Sequence, residues 1–106
     1  MTTRDLPREE WDVYFGALVV ERRRGGSDEA ILSLEPARDE GPPVSRVLHL
    51  EAFTYEPADE LFEVVAAELH HFVLHPAAVH VDEETGHLRR LEFVFHNGAS
   101  ETLVLN

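Results

Sequence analysis

Cysteine is absent from the 106-residue chain, and so is lysine: all nine basic residues are arginine. The first absence excludes thiol nucleophiles, disulfides and thiolate-bound metal. The second excludes Schiff-base chemistry, a phosphate-loop lysine and a lysine general base. The arginine-only basic set reads as a compositional bias rather than a functional avoidance of lysine. Positive charge is scarce altogether. Nine arginines stand against 21 Asp and Glu, for a formal net charge of −12 at pH 7. Such a body repels polyanions and lacks the phosphate-neutralising surface of a nucleic-acid binder. Anionic membrane surfaces are disfavoured on the same grounds, whereas a basic partner or a cation would suit the charge. No apolar run approaches the roughly 18 residues of a membrane-spanning helix. Met1 to Trp11 carries no apolar core of a secretory signal. The sequence thus predicts a cytoplasmic protein with no nucleic-acid and no membrane partner.

What remains is an ordinary globular composition, 43% hydrophobic and 28% charged. The expected organisation is a single domain over residues 1–106. A chain of this length buries roughly 60–70% of its unfolded surface and needs no covalent or metal staple. Leu6-Pro7-Arg8-Glu9-Glu10-Trp11 reads as a helix start. Proline is tolerated at the first helical position, and acidic residues complement the dipole in the first turn. Trp11, Tyr14, Phe15 and Leu18 give one apolar stripe, and Gly16 ends the helix, so its span is about 7–16. From 17 to 106 the pattern is β. Ala17–Arg24 and Glu29–Leu34 flank the turn cluster Gly25-Gly26-Ser27-Asp28 and predict a hairpin. Pro36–Pro43 is a loop, the segment expected to be most mobile. Val44–Tyr55 is a long strand, with Leu48, Leu50 and Ala52 on one face and Val47, His49, Glu51, Phe53 and Tyr55 on the other. Leu61–Leu69 is ambiguous, and propensity alone leans to helix. Strands follow at His70–His75, Ala77–Asp82 and His87–His96, and Asn97-Gly98 predicts a type I′ turn into the last strand. Val79–Leu105 should therefore be a three-stranded meander. Trp11, Tyr14, Phe15, Phe53, Phe62, Phe72, Phe93 and Phe95 are the aromatic core candidates.

Seven histidines in so short a chain are the feature that bears most on chemistry. His70, His71 and His75 lie close together, and they are the metal candidates, for zinc or another divalent ion. On a strand, His71 and His75 share a face about 13 Å apart, too far for one ion. On a helix the same pair would have good zinc spacing. The competing reading, which outweighs it, places each histidine on the polar side of a half-buried sheet, as in Leu48-His49-Leu50 and Val79-His80-Val81. Asp82-Glu83-Glu84 resembles a calcium loop in charge but lacks the spacing and central glycine. Glu51 and Glu56 flank Tyr55 without anything that fixes an acid–base geometry. Arg22-Arg23-Arg24 reads as a strand end pairing with carboxylates. No nucleophile elbow or phosphate cradle is present. No catalytic residue and no cofactor-binding residue is assigned.

Several segments resemble an uncharacterised bacterial family, the domain-of-unknown-function family 5335. They are Thr3-Arg4-Asp5-Leu6-Pro7-Arg8-Glu9-Glu10-Trp11, Leu48-His49-Leu50-Glu51-Ala52-Phe53-Thr54-Tyr55-Glu56-Pro57 and Leu69-His70-His71-Phe72. His75-Pro76 through Val81-Asp82-Glu83, Leu91-Glu92 and the closing turn continue the match. Two departures stand out: the stretch after Phe15 is shorter than in the family, and Asn97-Gly98 replaces an expected Asp-Gly. The resemblance implies that Leu61–Ala66 is a strand, and it supplies no activity.

The combined expectation is a mainly β (α+β) fold. A short N-terminal helix packs on six or seven antiparallel strands, as a small barrel or a bent sheet. Free sheet edges favour a homodimer. The leading functional expectation is a small non-enzymatic binding or protein-interaction module. The alternatives are a His-dependent metal-binding protein or metal-dependent hydrolase, and a carrier of small apolar ligands with a pocket beneath Trp11.

Overall fold

The structure, a computed structural model, describes residues 2–15, 29–37, 41–84 and 87–105. It is mainly β with one short N-terminal helix, as the sequence predicts. Eight strands are seen among the described residues rather than six or seven: β1 (Thr2–Asp5), β2 (Glu29–Glu35), β3 (Val44–Glu56), β4 (Leu61–Ala66), β5 (His70–Leu74), β6 (Ala78–Glu84), β7 (His87–Val94) and β8 (Ser100–Leu105). All pairings are antiparallel, in the order β1-β6-β7-β8-β2-β3-β4-β5. The helix, α1, opens as a 3₁₀ turn at Arg8–Glu10 and continues as α-helix over 11–15. Pro7 is extended (ψ 145°) and stands just before the helix rather than inside it. The predicted hairpin over 17–34 and the loop tip at 38–40 fall wholly or partly outside the described residues, as do Leu18, Gly16 and the Arg22–Arg24 run.

β1 is the strand the sequence conceals. Thr2–Asp5 is short and polar, and it becomes a strand only by pairing with Glu83–His80 of β6. Leu6 then donates its N–H to the Val79 carbonyl (2.9 Å), and Trp11 donates its indole N–H to the Leu6 carbonyl (2.9 Å). Leu6 is thus tied to the sheet by its N–H and to α1 by its carbonyl.

The sheet is not a closed barrel, because β1 and β5 stand at opposite ends of the order and do not pair. It is bent instead, and β3 is where it bends. Val44–His49 pairs with β2, whereas Leu50–Glu56 pairs with β4, with a register shift between Leu50 and Ala52. An extra residue in one strand bends it and moves the following side chains to the other face. Leu48 and Leu50 are buried before the bulge, and Phe53 is buried after it. The uninterrupted alternation expected for Val44–Tyr55 is therefore corrected: the core face changes from even to odd positions at Glu51. The turn between β4 and β5 braces this bend. Ala67 donates to the His49 carbonyl (3.0 Å), and the His49 N–H donates to Glu68 Oε1 (2.8 Å).

The bend folds the β3–β4–β5 layer over the rest. Phe62 of β4 and Phe93 of β7 are four steps apart in the order, about 19 Å in a flat sheet, yet their ring centroids are 4.8 Å apart. Phe62 is fully buried, and Trp11 and Phe15 meet it edge-on at 5.5 Å and 4.9 Å. One hydrophobic cluster contains residues of both layers and of α1.

Two further expectations are decided locally. Leu61–Ala66 is a strand, against its helix propensity, because alternate Phe62, Val64 and Ala66 fill the core. The β6–β7–β8 meander forms as expected, but its second turn is not type I′. Only Gly98 is left-handed (φ 91°), while Asn97 is not. Gly98 donates to the Phe95 carbonyl (3.1 Å) and Phe95 to the Ala99 carbonyl (2.9 Å), which makes a three-residue loop ending in a left-handed glycine.

Candidate functional site: the β5 edge and its histidines

Strand β5 carries the clustered histidines, and its alternation separates them. His71 and Val73 point inward, opposite Val64 and Phe62 of β4, while His70, Phe72 and Leu74 point outward. His75 leaves the strand in a left-handed conformation (φ 50°). Each histidine then meets its own carboxylate. His70 pairs with Glu63 (2.9 Å), His71 with Glu101 (3.0 Å) and His75 with Glu60 (3.4 Å). The three metal candidates are therefore not brought together, and no group of three or more His, Asp or Glu side chains converges among the described residues. The same partnering recurs elsewhere: His49 pairs with Glu68 and His80 with Asp5.

The electrostatics follow from these partners. The Glu101 carboxylate, by its hydrogen bond, raises the His71 imidazole above its ordinary value, against a smaller opposing effect of burial. Glu60 lies below the usual carboxylate range, chiefly through its bond to Arg8 and then through His75. Glu68 is lowered to about 2 by the His49 N–H and then by its ring. Tyr55 is raised, chiefly by burial.

The other constellations resolve into ordinary pairings. Asp82 faces Arg90 (3.6 Å), Glu83 takes Arg4 (3.2 Å) and the Tyr14 hydroxyl (2.9 Å), and Glu84 takes Arg89 (3.5 Å). These carboxylates belong to β6 and carry cationic partners, which does not make a calcium loop. Glu56 accepts the Ala58 N–H (3.3 Å) and closes its own turn. Beneath Trp11 stand the rings of Tyr55 and Phe62, at 5.9 Å and 5.5 Å. An open concavity of about 480 Å³ lies between the end of β2 and the β7–β8 turn, lined in part by Leu34, Pro36, His75, Phe95 and Glu101.

A family model for a family of unknown function, DUF5335, matches residues 2–106. The chain belongs to DUF5335. An uncharacterised protein from Aquifex aeolicus (strain VF5) is 29% identical over 99 residues, covering 92% of this chain and 86% of the relative. No solved structure matches the chain. The resemblance read from the sequence is thus shown, and DUF5335 brings no activity with it.

In this DUF5335 chain the surface that sequence reasoning missed is the outside of β5. Phe72 was expected in the core, yet it is 51% exposed, beside Leu74 at 52%. The strand HHFVL can face either way, since its odd and even positions are both partly apolar. Its phase is fixed from outside, by Phe62 and Val64 claiming Val73 and His71. The His70 ring stacks on Phe72 at 4.9 Å. No helix among the described residues is long and apolar enough to cross a membrane.

Proposed function

We propose that the protein is a small non-enzymatic interaction module that binds other polypeptide through the outer face of β5 and its edge, which pairs with nothing among the described residues. The observation that carries this reading is the pairing of half-exposed Phe72 and Leu74 on a terminal strand. Apolar side chains on an unpaired edge attract another chain unless they are blunted. Here the blunting devices are missing from the strand itself: His70–Leu74 holds no carboxylate, no arginine and no proline. Added-strand recognition draws affinity from main-chain hydrogen bonds and specificity from alternate side chains, and β5 offers both.

Capture from a bacterial lysate on the immobilised chain tests the reading, with retained proteins compared between wild type and Phe72→Asp. Proteins held by wild type and lost with the variant are the expected result. Identical retention by the two, with both folded, removes β5 as the binding surface.

A further inference from the structure

The main-chain phase of β5 narrows what can pair with it. His75 donates to the Glu60 carbonyl (3.1 Å), and Ala66 donates to the Leu69 carbonyl (2.9 Å). Both pairs lie in the register that sets Phe62 opposite Val73 and Val64 opposite His71. Antiparallel ladders alternate hydrogen-bonded and non-hydrogen-bonded pairs. Val73 and His71 therefore spend their main-chain groups on β4, and His70, Phe72 and Leu74 direct theirs away from it. Among the described residues nothing pairs with that edge. The three outward-bonding residues are spaced evenly about Phe72, and they are also the residues whose side chains face out.

We infer that β5 pairs with β5 of a second copy across a two-fold axis through Phe72, making a continuous sheet of the two β3–β4–β5 layers. In that register Phe72 lies opposite Phe72 of the second copy, and His70 opposite its Leu74, each exchanging both main-chain bonds. A two-fold contact must be self-complementary, and this phase is. Charge favours the same place. Copies of a chain with net charge −12 repel, so a contact is favoured where carboxylates already have partners. Around β5, Glu60 is paired with Arg8, and the His70 ring lies 2.9 Å from Glu63. The opposite edge, β1, is a poorer candidate, because exposed Arg4 and Asp5 blunt it. The inference rests on the reading of β5 as a contact surface and names its partner.

Sedimentation of the full chain and cysteine cross-linking test it together. Wild type should sediment with twice the monomer mass at high-micromolar concentration, and Phe72→Asp should sediment as a folded monomer. Hydrogen-bonded antiparallel partners have Cα atoms about 5.5 Å apart, within disulfide range. In this cysteine-free chain, Phe72→Cys should therefore cross-link on mild oxidation. His70→Cys alone should not, since its two copies would lie about 14 Å apart along the strands, whereas a mixture of His70→Cys and Leu74→Cys should. A wild type that stays monomeric throughout overturns the self-pairing. So does a dimer that survives Phe72→Asp, or one in which Phe72→Cys fails to cross-link. Lysate capture is read separately, so a monomeric wild type that still retains Phe72-dependent partners removes this inference and not the broader one.

Discussion

His71 Nε2 lies 3.0 Å from Glu101 Oε2, although β5 and β8 are four steps apart in the sheet order. The pair is a clasp between the two layers, with both side chains about four-fifths covered. Glu101 stands on the inner side of β8, opposite Phe93 of β7 and Leu34 of β2. The clasp therefore closes the rim of the core that the Phe62–Phe93 contact begins.

Its pH dependence has a definite sign. A histidine raised above its unfolded value of 6.5 lends stability that is complete below that value and lost as pH rises through the raised one. His71→Ala should therefore cost most below pH 6.5 and progressively less as the pH rises above it. The cost is about 0.5–1 kcal/mol, since solvent screens a pair that is only partly buried. Urea unfolding of both proteins across that range measures it; a difference independent of pH would contradict the assignment.

Glu68 acts at the other end of the pH scale. Its carboxylate is lowered to about 2 by the His49 N–H, so its contribution is complete above the ordinary 4.5 and fades as pH falls toward 2. Glu68→Gln should lower the urea midpoint at pH 5, and the gap between variant and wild type should close by pH 2.

Trp11 combines ring packing with a buried hydrogen bond to Leu6. Trp11→Ala should cost about 3–5 kcal/mol, the usual range for removing a large buried aromatic. Trp11→Phe keeps an aromatic ring but loses part of the indole together with its N–H donor, and stranding the Leu6 carbonyl alone costs about 1–3 kcal/mol. Equilibrium denaturation followed by far-ultraviolet circular dichroism separates the two.

Gly98 has φ 91° and open space where a Cβ would stand. The cost of Gly98→Ala is therefore conformational rather than steric against neighbours, about 1–2 kcal/mol. Asn97→Ala should cost less, removing only the Oδ1 that accepts the Ala99 N–H (2.9 Å). Thermal unfolding of the two variants ranks them.

The parts of this fold that were legible in the sequence are those decided by neighbours in the chain. Asn97-Gly98 and the alternation around it specify the β6–β8 meander, and Pro7, Glu9 and Trp11 specify α1. The bulge leaves a trace that strict alternation overlooks: the large apolar residues of β3 run Leu48, Leu50, Phe53, Tyr55, with one interval of three. Leu61–Ala66 was legible only through the family resemblance, because the alanines and glutamates of Leu61–Leu69 favour helix until tertiary packing overrules them. β1 and the His71–Glu101 clasp leave no local trace, since each depends on a partner distant in sequence. The outward turn of Phe72 is of the same kind, being decided by what β4 needs for the core.

β3 has a thermodynamic consequence beyond geometry. One strand supplies a ladder to β2 with its first half and to β4 with its second. Neither layer can release it without stripping the other of a neighbour and opening the shared core. The two layers are therefore bound to a common fate, and amide exchange should find the central residues of β2, β3 and β4 opening together, with one free energy.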